Sequence, residues 1–376
     1  MIQKTLFIGL MSGTSMDAVD AVIASFTPSI KLIGTLTIPI TKKIKVNLNT
    51  LLQEKNISLQ LLGETDVALG KLFADAVMQL LAKANISAEK IAAIGSPGQT
   101  IFHAPTGEFP FTLQIGDPNI IATQTGITTI ADFRRKDMAL GGQGAPLAPA
   151  FHAYLFPRQA YDQWILNIGG IANLTLIPAD TEKTVIGFDT GPGNTLLDLW
   201  CEKHTGKSYD QDGAWAKNGK CNDNLLGALL ADPYFQKPHP KSTGREYFNL
   251  RWLENFIHKG DTAENIQHTL TELTAQSIAI AIKNITQQHK LRDVTRDRIF
   301  ICGGGAYNTY LIEKLRTHCP QHDIATTDTI GIAPTWIEAA TFAWLAKQTL
   351  EQKAGNLASV TGARKQGVLG GVYSHE

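Results

Sequence analysis

The stretch Ile8 to Val22, I-G-L-M-S-G-T-S-M-D-A-V-D-A-V, constrains this chain more than any other. An apolar run, Leu6 to Leu10, enters it, and a second, with Val19, Ala21, Val22, Ile23 and Ala24, leaves it. Between them stand Ser12, Gly13, Thr14 and Ser15, followed by Met16, Asp17, Ala18 and Asp20. Two apolar runs joined by so small a turn predict a β-hairpin. Its tip offers backbone N–H groups and hydroxyls without bulky side chains. That suits a nucleotide phosphate, with carboxylates at hand for Mg²⁺ or its waters. An ordinary Ser/Gly turn satisfies the same letters, so the rest of the chain has to decide.

Further along, Ile30 to Ile40 is expected to be a strand. About Leu59 to Lys83 is expected to be a helix, with Leu62, Leu69, Phe73, Ala76, Val77, Leu80 and Leu81 at helical spacing. A short buried strand, Ile91 to Ile94, runs into Gly95-Ser96-Pro97-Gly98-Gln99-Thr100. Strands at Phe111–Ile115 and Ile127–Ala131 follow, around Gly116-Asp117-Pro118-Asn119. The second half repeats this plan: strand Trp164–Ile168, a tight turn Gly169-Gly170-Ile171-Ala172-Asn173, returning strand Leu174–Ile177, and a helix from about Glu264 to Ile285. A buried strand Arg298–Cys302 then ends in Gly303-Gly304-Gly305. Each half thus has a hairpin with a phosphate-sized turn, a long helix, and an apolar strand ending in glycine, a repeat of architecture though not of letters. Residues 205–262, with Asp232-Pro233 and Lys237-Pro238-His239-Pro240, break the pattern and are expected to be an insertion carrying substrate contacts.

A length of 376 residues favours two domains. The glycine-rich Gly141–Pro146 marks the expected boundary: residues 1–140 with 348–376 on one side, and 141–347 on the other. Equal numbers of acidic and basic residues, 34 each, give no signal for nucleic acid or an anionic membrane. No apolar run is long enough to span a bilayer. The first residues predict a strand and not a signal peptide. Four widely spaced cysteines suggest neither a zinc site nor a disulfide framework, and they fit a reducing cytoplasm.

Four constellations could carry chemistry. In Val185–Asn194, V-I-G-F-D-T-G-P-G-N, a strand delivers Asp189 to its end beside a Gly-Pro-Gly turn, with Asn194 placed to cap the next helix. An acid there can deprotonate a water or a hydroxyl, or only bond turn N–H groups. Asp132–Asp137 holds Arg134, Arg135 and Lys136: one guanidinium could meet developing negative charge, or the run is a solvated face. Gly303-Gly304-Gly305 lets backbone approach a ring or phosphate closely, or is a plain turn. Thr335-x-x-Glu338 spells a helix capping box, which explains the glutamate without catalysis. His103, His152 and His204 stand alone and are expected to be structural or on the surface.

Taken together, the motifs resemble the anhydro-N-acetylmuramic acid kinase family from end to end. They are S-G-T-S-M-D-x-V-D (Ser12–Asp20), G-S-x-G-Q-T (Gly95–Thr100), Q-I-G-D-P-N (Gln114–Asn119), A-D-F-R-x-x-D (Ala131–Asp137) and G-G-Q-G-A-P-L (Gly141–Leu147). N-I-G-G-I-A-N (Asn167–Asn173), F-D-T-G-P-G-N (Phe188–Asn194), C-G-G-G-x-x-N (Cys302–Asn308) and the segment from Glu338 complete the set. The resemblance implies an α/β protein with two ribonuclease-H-like domains of the actin-like ATPase and sugar-kinase superfamily, around a central ATP cleft. It implies ATP- and Mg²⁺-dependent conversion of 1,6-anhydro-N-acetylmuramic acid and water to N-acetylmuramic acid 6-phosphate, in peptidoglycan recycling, by a cytoplasmic homodimer. Carried over, Asp189 is the general base and Arg134 stabilises charge as the anhydro ring opens. Glu338, Gln99 and Asn173 contact the sugar. Gly13 to Asp20 (with Thr14, Ser15, Met16, Asp17, Ala18 and Val19) and Gly169, Gly170, Gly303 and Gly304 hold ATP, and Asp17 is the candidate metal ligand.

Two positions depart from the family's pattern: Ala18 replaces a usual glycine and Pro97 a usual histidine, so no imidazole role carries over to that loop. The competing readings are a related kinase acting on a plain hexose hydroxyl, where Asp189 would deprotonate the hydroxyl itself, and an ATP-gated actin-like binding protein.

Overall fold

The computed structural model describes residues 5–13, 16–54, 56–289, 291 and 297–376. In chain order its strands are β1 (Leu6–Ser12), β2 (Ala18–Ser25), β3 (Lys31–Pro39), β4 (Ile91–Gly95), β5 (Gln99–Ala104), β6 (Phe111–Ile115) and β7 (Thr129–Ala131). Then come β8 (Gln163–Ile168), β9 (Ile171–Ile177), β10 (Ile186–Pro192), β11 (Arg298–Cys302), β12 (Asp323–Thr326) and β13 (Gly371–Tyr373). Contacts divide the chain into two units, Met1–Leu155 with Trp336–Glu376, and Phe156–Thr335.

In the first unit β1, β2 and β3 form an antiparallel meander, while β4 and β7 run parallel to β1, giving the order β13-β7-β4-β1-β2-β3. In the second unit β8, β9 and β10 form the meander and β11 and β12 run parallel to β8, giving β10-β9-β8-β11-β12. Leaving aside the added edge strand β13, both are the 3-2-1-4-5 order of a ribonuclease-H-like domain. The duplicated plan visible in the hydrophobic pattern is therefore a duplicated topology. All six residues of β8 are buried, as expected of a central strand covered on both faces.

Helix Leu59–Ala84 follows from its apolar spacing and is bounded by local chemistry. Ser58 accepts from the Gln60 and Leu61 N–H groups at its start, and Asn85 closes it in left-handed backbone. Leu69, Phe73, Val77 and Leu80 on this helix join Ile8, Leu10, Val19 and Ile23 in the first core. In the second unit, Ile278 and Ile282 of helix Ala263–Gln288 pack with Leu166, Leu174 and Phe188. The inserted segment has a core of its own, Leu225, Leu229, Tyr234, Phe235 and Phe248 against Trp200 and Leu270.

The division between units differs from the boundaries expected at 140/141 and 347/348, and packing explains why. Helix Ala148–Leu155 sends Phe151 and Tyr154 against Trp344, with ring centroids 5.9 and 5.7 Å apart. Trp344 belongs to helix Ile337–Leu350, which lies on β1 and β4. A Cβ at Gly9 would stand 1.9 Å from the Ala339 carbonyl oxygen, and one at Gly95 would stand 2.0 Å from that of Phe342. The helix backbone rests directly on the strands there, and only glycine permits it.

Candidate active site

The hairpin tip of the first unit begins where β1 ends. Ser12 is buried and donates its hydroxyl to Gln99 Oε1 at 2.6 Å. Gln99 donates through Nε2 to the Thr100 carbonyl at 3.3 Å. The Gln99 carboxamide, expected to touch the sugar, is thus engaged at both ends, and its oxygen ties the start of β5 to the end of β1. Thr14 and Ser15, named as phosphate-binding, lie outside the described residues. Gly13 accepts from the Met16 N–H at 3.1 Å, and Met16 has φ +53° with its side chain buried.

Ala18 opens β2 opposite Pro39, extended backbone that alanine adopts without strain. Asp17 is exposed and pairs with Lys45 at 2.5 Å. Asp20 accepts from Thr37 Oγ1 at 2.6 Å, and burial raises its carboxyl above the ordinary value. Among the described residues no three acidic, histidine or cysteine side chains group as a metal cage. The donor set fits Mg²⁺ held mainly by phosphate oxygens and water.

Arg134 sits in the first turn of helix Phe133–Ala139 and donates to the Gly144 carbonyl at 3.0 Å. The loop that receives it, Gly141–Pro146, is fixed by the fully buried Asp137. The Asp137 carboxylate accepts from Gly144 N–H (2.8 Å), Asn356 Nδ2 (2.7 Å) and Thr361 Oγ1 (2.9 Å). Replacing Asp137 by alanine is expected to leave these donors unpaired and cost about 2–3 kcal/mol. A lowered Tm with a raised KM for the sugar would show that the loop serves Arg134.

Glu338 lies in the first turn of helix Ile337–Leu350, but the expected capping box does not form. The N-cap is Trp336, in helical backbone and with no side-chain capping bond, because a short tight turn, Pro334–Trp336, precedes the helix. The Phe133 and Phe342 rings meet at 5.8 Å. This contact brings together the two helices that carry Arg134 and Glu338.

In the second unit three turns converge. Gly170 accepts from the Gly193 and Thr195 N–H groups (2.9 and 3.0 Å) and Gly169 from that of Asn194 (2.8 Å). Asn194 holds the N-cap position of helix Thr195–Thr205, yet its side chain makes no capping bond and donates instead to the Ile168 carbonyl at 3.2 Å. Gly303 has φ +79°, and a Cβ there would fall 2.3 Å from Asn167 Oδ1, so the position requires glycine. Beside it Gly304 is open: a Cβ would meet nothing nearer than Asn194 Nδ2 at 4.0 Å. These glycines form a bare backbone surface next to a helix N-terminus, a cradle that fits a nucleotide.

Cys302, Asn167, Asn173 and Asp189 stand opposite one another across β11, β8, β9 and β10, a row that crosses the sheet on one face. Register slips just after Asp189, a β-bulge that re-aims the strand end. Three groups of the inserted segment hold this residue. The Lys241 carbonyl accepts its N–H at 3.0 Å, the Tyr234 hydroxyl donates to its carbonyl at 2.8 Å, and the Thr243 N–H donates to Oδ2 at 3.0 Å. None of these three residues was singled out from sequence. His103, expected to be structural or on the surface, is half-buried and lies close enough to Arg134 that the guanidinium, after burial, helps lower its pKa. His152 is buried as expected, and burial alone pushes its imidazole down to about 3.

A model of the family "Anhydro-N-acetylmuramic acid kinase" matches residues 5–375. A protein of that name from Coxiella burnetii (strain Dugway 5J108-111) is 55% identical over 372 residues, which is 98% of this chain and 98% of that one. One from Saccharophagus degradans is 48% identical, over 99% of this chain and 100% of its own length. One from Shewanella sediminis is 50% identical, over 98% of each chain.

Proposed function

This chain belongs to the anhydro-N-acetylmuramic acid kinase family, and from that premise we propose how its residues carry out the reaction. The substrates are ATP, water and 1,6-anhydro-N-acetylmuramic acid; the products are ADP and N-acetylmuramic acid 6-phosphate, within peptidoglycan recycling. Asp189 takes a proton from water as the water oxygen bonds to the anomeric carbon. The bond from that carbon to the bridging O6 breaks, and O6 takes the γ-phosphoryl group. The step resembles that of an inverting glycosidase in which phosphate, not a proton, captures the leaving oxygen.

The observation that carries this reading is the position of Asp189. It ends the polar row Cys302–Asn167–Asn173, on the sheet whose turns form the glycine cradle. Arg134 supplies charge to the opening ring and Glu338 contacts the sugar. Phosphoryl transfer needs mainly positioning and charge neutralisation, so bare glycine turns suffice on the nucleotide side. Mg²⁺ would neutralise the phosphate oxygens, and Asp17, here paired with Lys45, would be its candidate carboxylate ligand. The same reading places the chain in the cytoplasm as a homodimer, which light scattering would test.

The deciding assay follows ADP release with 1,6-anhydro-N-acetylmuramic acid in ¹⁸O-labelled water. One labelled oxygen at the anomeric position of the phosphorylated product is expected. Unlabelled product, or turnover of glucose or N-acetylmuramic acid in place of the anhydro sugar, would make this an ordinary hexose kinase.

A further inference from the structure

Asp189 is held by residues 45 to 54 positions further along the chain. They belong to one segment, Asp232 to Thr243, which touches its N–H, its carbonyl and one carboxylate oxygen. We propose that this segment is a clamp for the base, and that Lys241 is a positioning residue whose ammonium stabilises the Asp189 carboxylate. The inference rests on the reading of Asp189 as the base.

The geometry of Lys241 supports it. Its Nζ lies 4.6 Å from the centre of the Tyr234 ring and donates to the Tyr234 and Phe235 carbonyls at 3.2 and 3.4 Å. The hydroxyl of that same tyrosine donates to the Asp189 carbonyl, and the Lys241 carbonyl accepts from the Asp189 N–H. One ring and one lysine therefore connect the ammonium to the backbone of the base. Lys237 and His239 of the same segment also face Lys241, and His289, at the end of helix Ala263–Gln288, touches His239 at 3.2 Å. Asp189 is the negative partner in this group. Burial first, then Lys237, push the Lys241 ammonium down to about 8, and Asp189 opposes them.

An interaction between two charges belongs to both titrations. The attraction that favours the Lys241 ammonium must favour the Asp189 carboxylate equally. Removing the lysine charge makes Asp189 harder to ionise, so its titration moves to higher pH.

Lys241→Gln keeps a donor for the two carbonyls and deletes the charge. Lys241→Met keeps the aliphatic packing on Tyr234 and also deletes the charge, and Lys241→Arg returns the charge. In the full-length enzyme the acid limb of kcat/KM is expected to move up by about 0.5–1 pH unit in both neutral variants and to return in Lys241→Arg. A lysine that only supports the fold would lower the rate and leave the limb in place; an unmoved limb in either neutral variant overturns the proposal.

A ¹³C carboxyl titration of Asp189, in wild type and in whichever neutral variant folds, reads the same midpoint without turnover. Wild type inactive toward the anhydro sugar would sink the functional reading while this titration still decides whether Lys241 sets the charge of Asp189. Equal midpoints would reject the clamp's electrostatic role.

Discussion

Asp189→Asn is expected to lower kcat by about 10²–10⁴-fold, the range over which a general base contributes. The substitution is nearly isosteric, and a carboxamide oxygen can still accept from the Thr243 N–H that now meets Oδ2 at 3.0 Å. The backbone bonds to Lys241 and Tyr234 involve no side-chain atom of Asp189 and should persist. Tm and ATP affinity should therefore stay near wild type while the rate falls. Asparagine has no basicity with which to take the proton of water, so the loss reads proton removal and little else. A variant within tenfold of wild type in kcat, with labelled water still entering the product, would take the base role from Asp189.

The second large effect concerns the fold. Gly9→Ala is expected to destabilise the first unit by more than ~3 kcal/mol, the upper end of ordinary overpacking. The new methyl would sit 1.9 Å from the Ala339 carbonyl oxygen and 2.6 Å from the Ala343 nitrogen, both backbone atoms. No rotamer change relieves such a contact; helix Ile337–Leu350 has to lift from β1. Glu338 is in the first turn of that helix, so activity should fall together with Tm. Gly63→Ala makes a control, because a methyl there meets nothing within 4 Å and glycine weakens a helix interior. Equal Tm values for Gly9→Ala and wild type would mean that the helix does not rest on β1 as described.

Much of this was legible in the letters, for identifiable reasons. The hairpins announce themselves because apolar runs flank small turns, and the duplication follows from the same pattern occurring twice. The strand carrying Asp189 is legible from its apolar lead-in, Val185 to Phe188, although it runs on through Gly191 and Pro192, where the letters predict a turn. The boundary between units was not legible. Helix Ile337–Leu350 is buried over most of its residues, and such a helix does not say which sheet it covers. The only trace was Gly9 and Gly95, glycines inside apolar strands, which signal close backbone approach without naming the partner. The capping box failed because a tight turn displaced the helix start past Thr335. The hold on Asp189 had no signature at all, since the Lys241 carbonyl and the Thr243 N–H are groups that almost every residue possesses.

The first unit is built from both ends of the sequence, residues 1–155 and 336–376, and this sets an order of completion during synthesis. A ribosome adds residues from the N-terminus at about 5–20 per second. Residues 156–335, with all five strands of their sheet, are finished before the helix and edge strand that complete the first unit have been made. The unit begun first is therefore the last to close. Until residue 350 has emerged, the faces of β1 and β4 around Gly9 and Gly95 lack their cover, and a chain halted earlier presents that apolar surface to whatever shields nascent proteins.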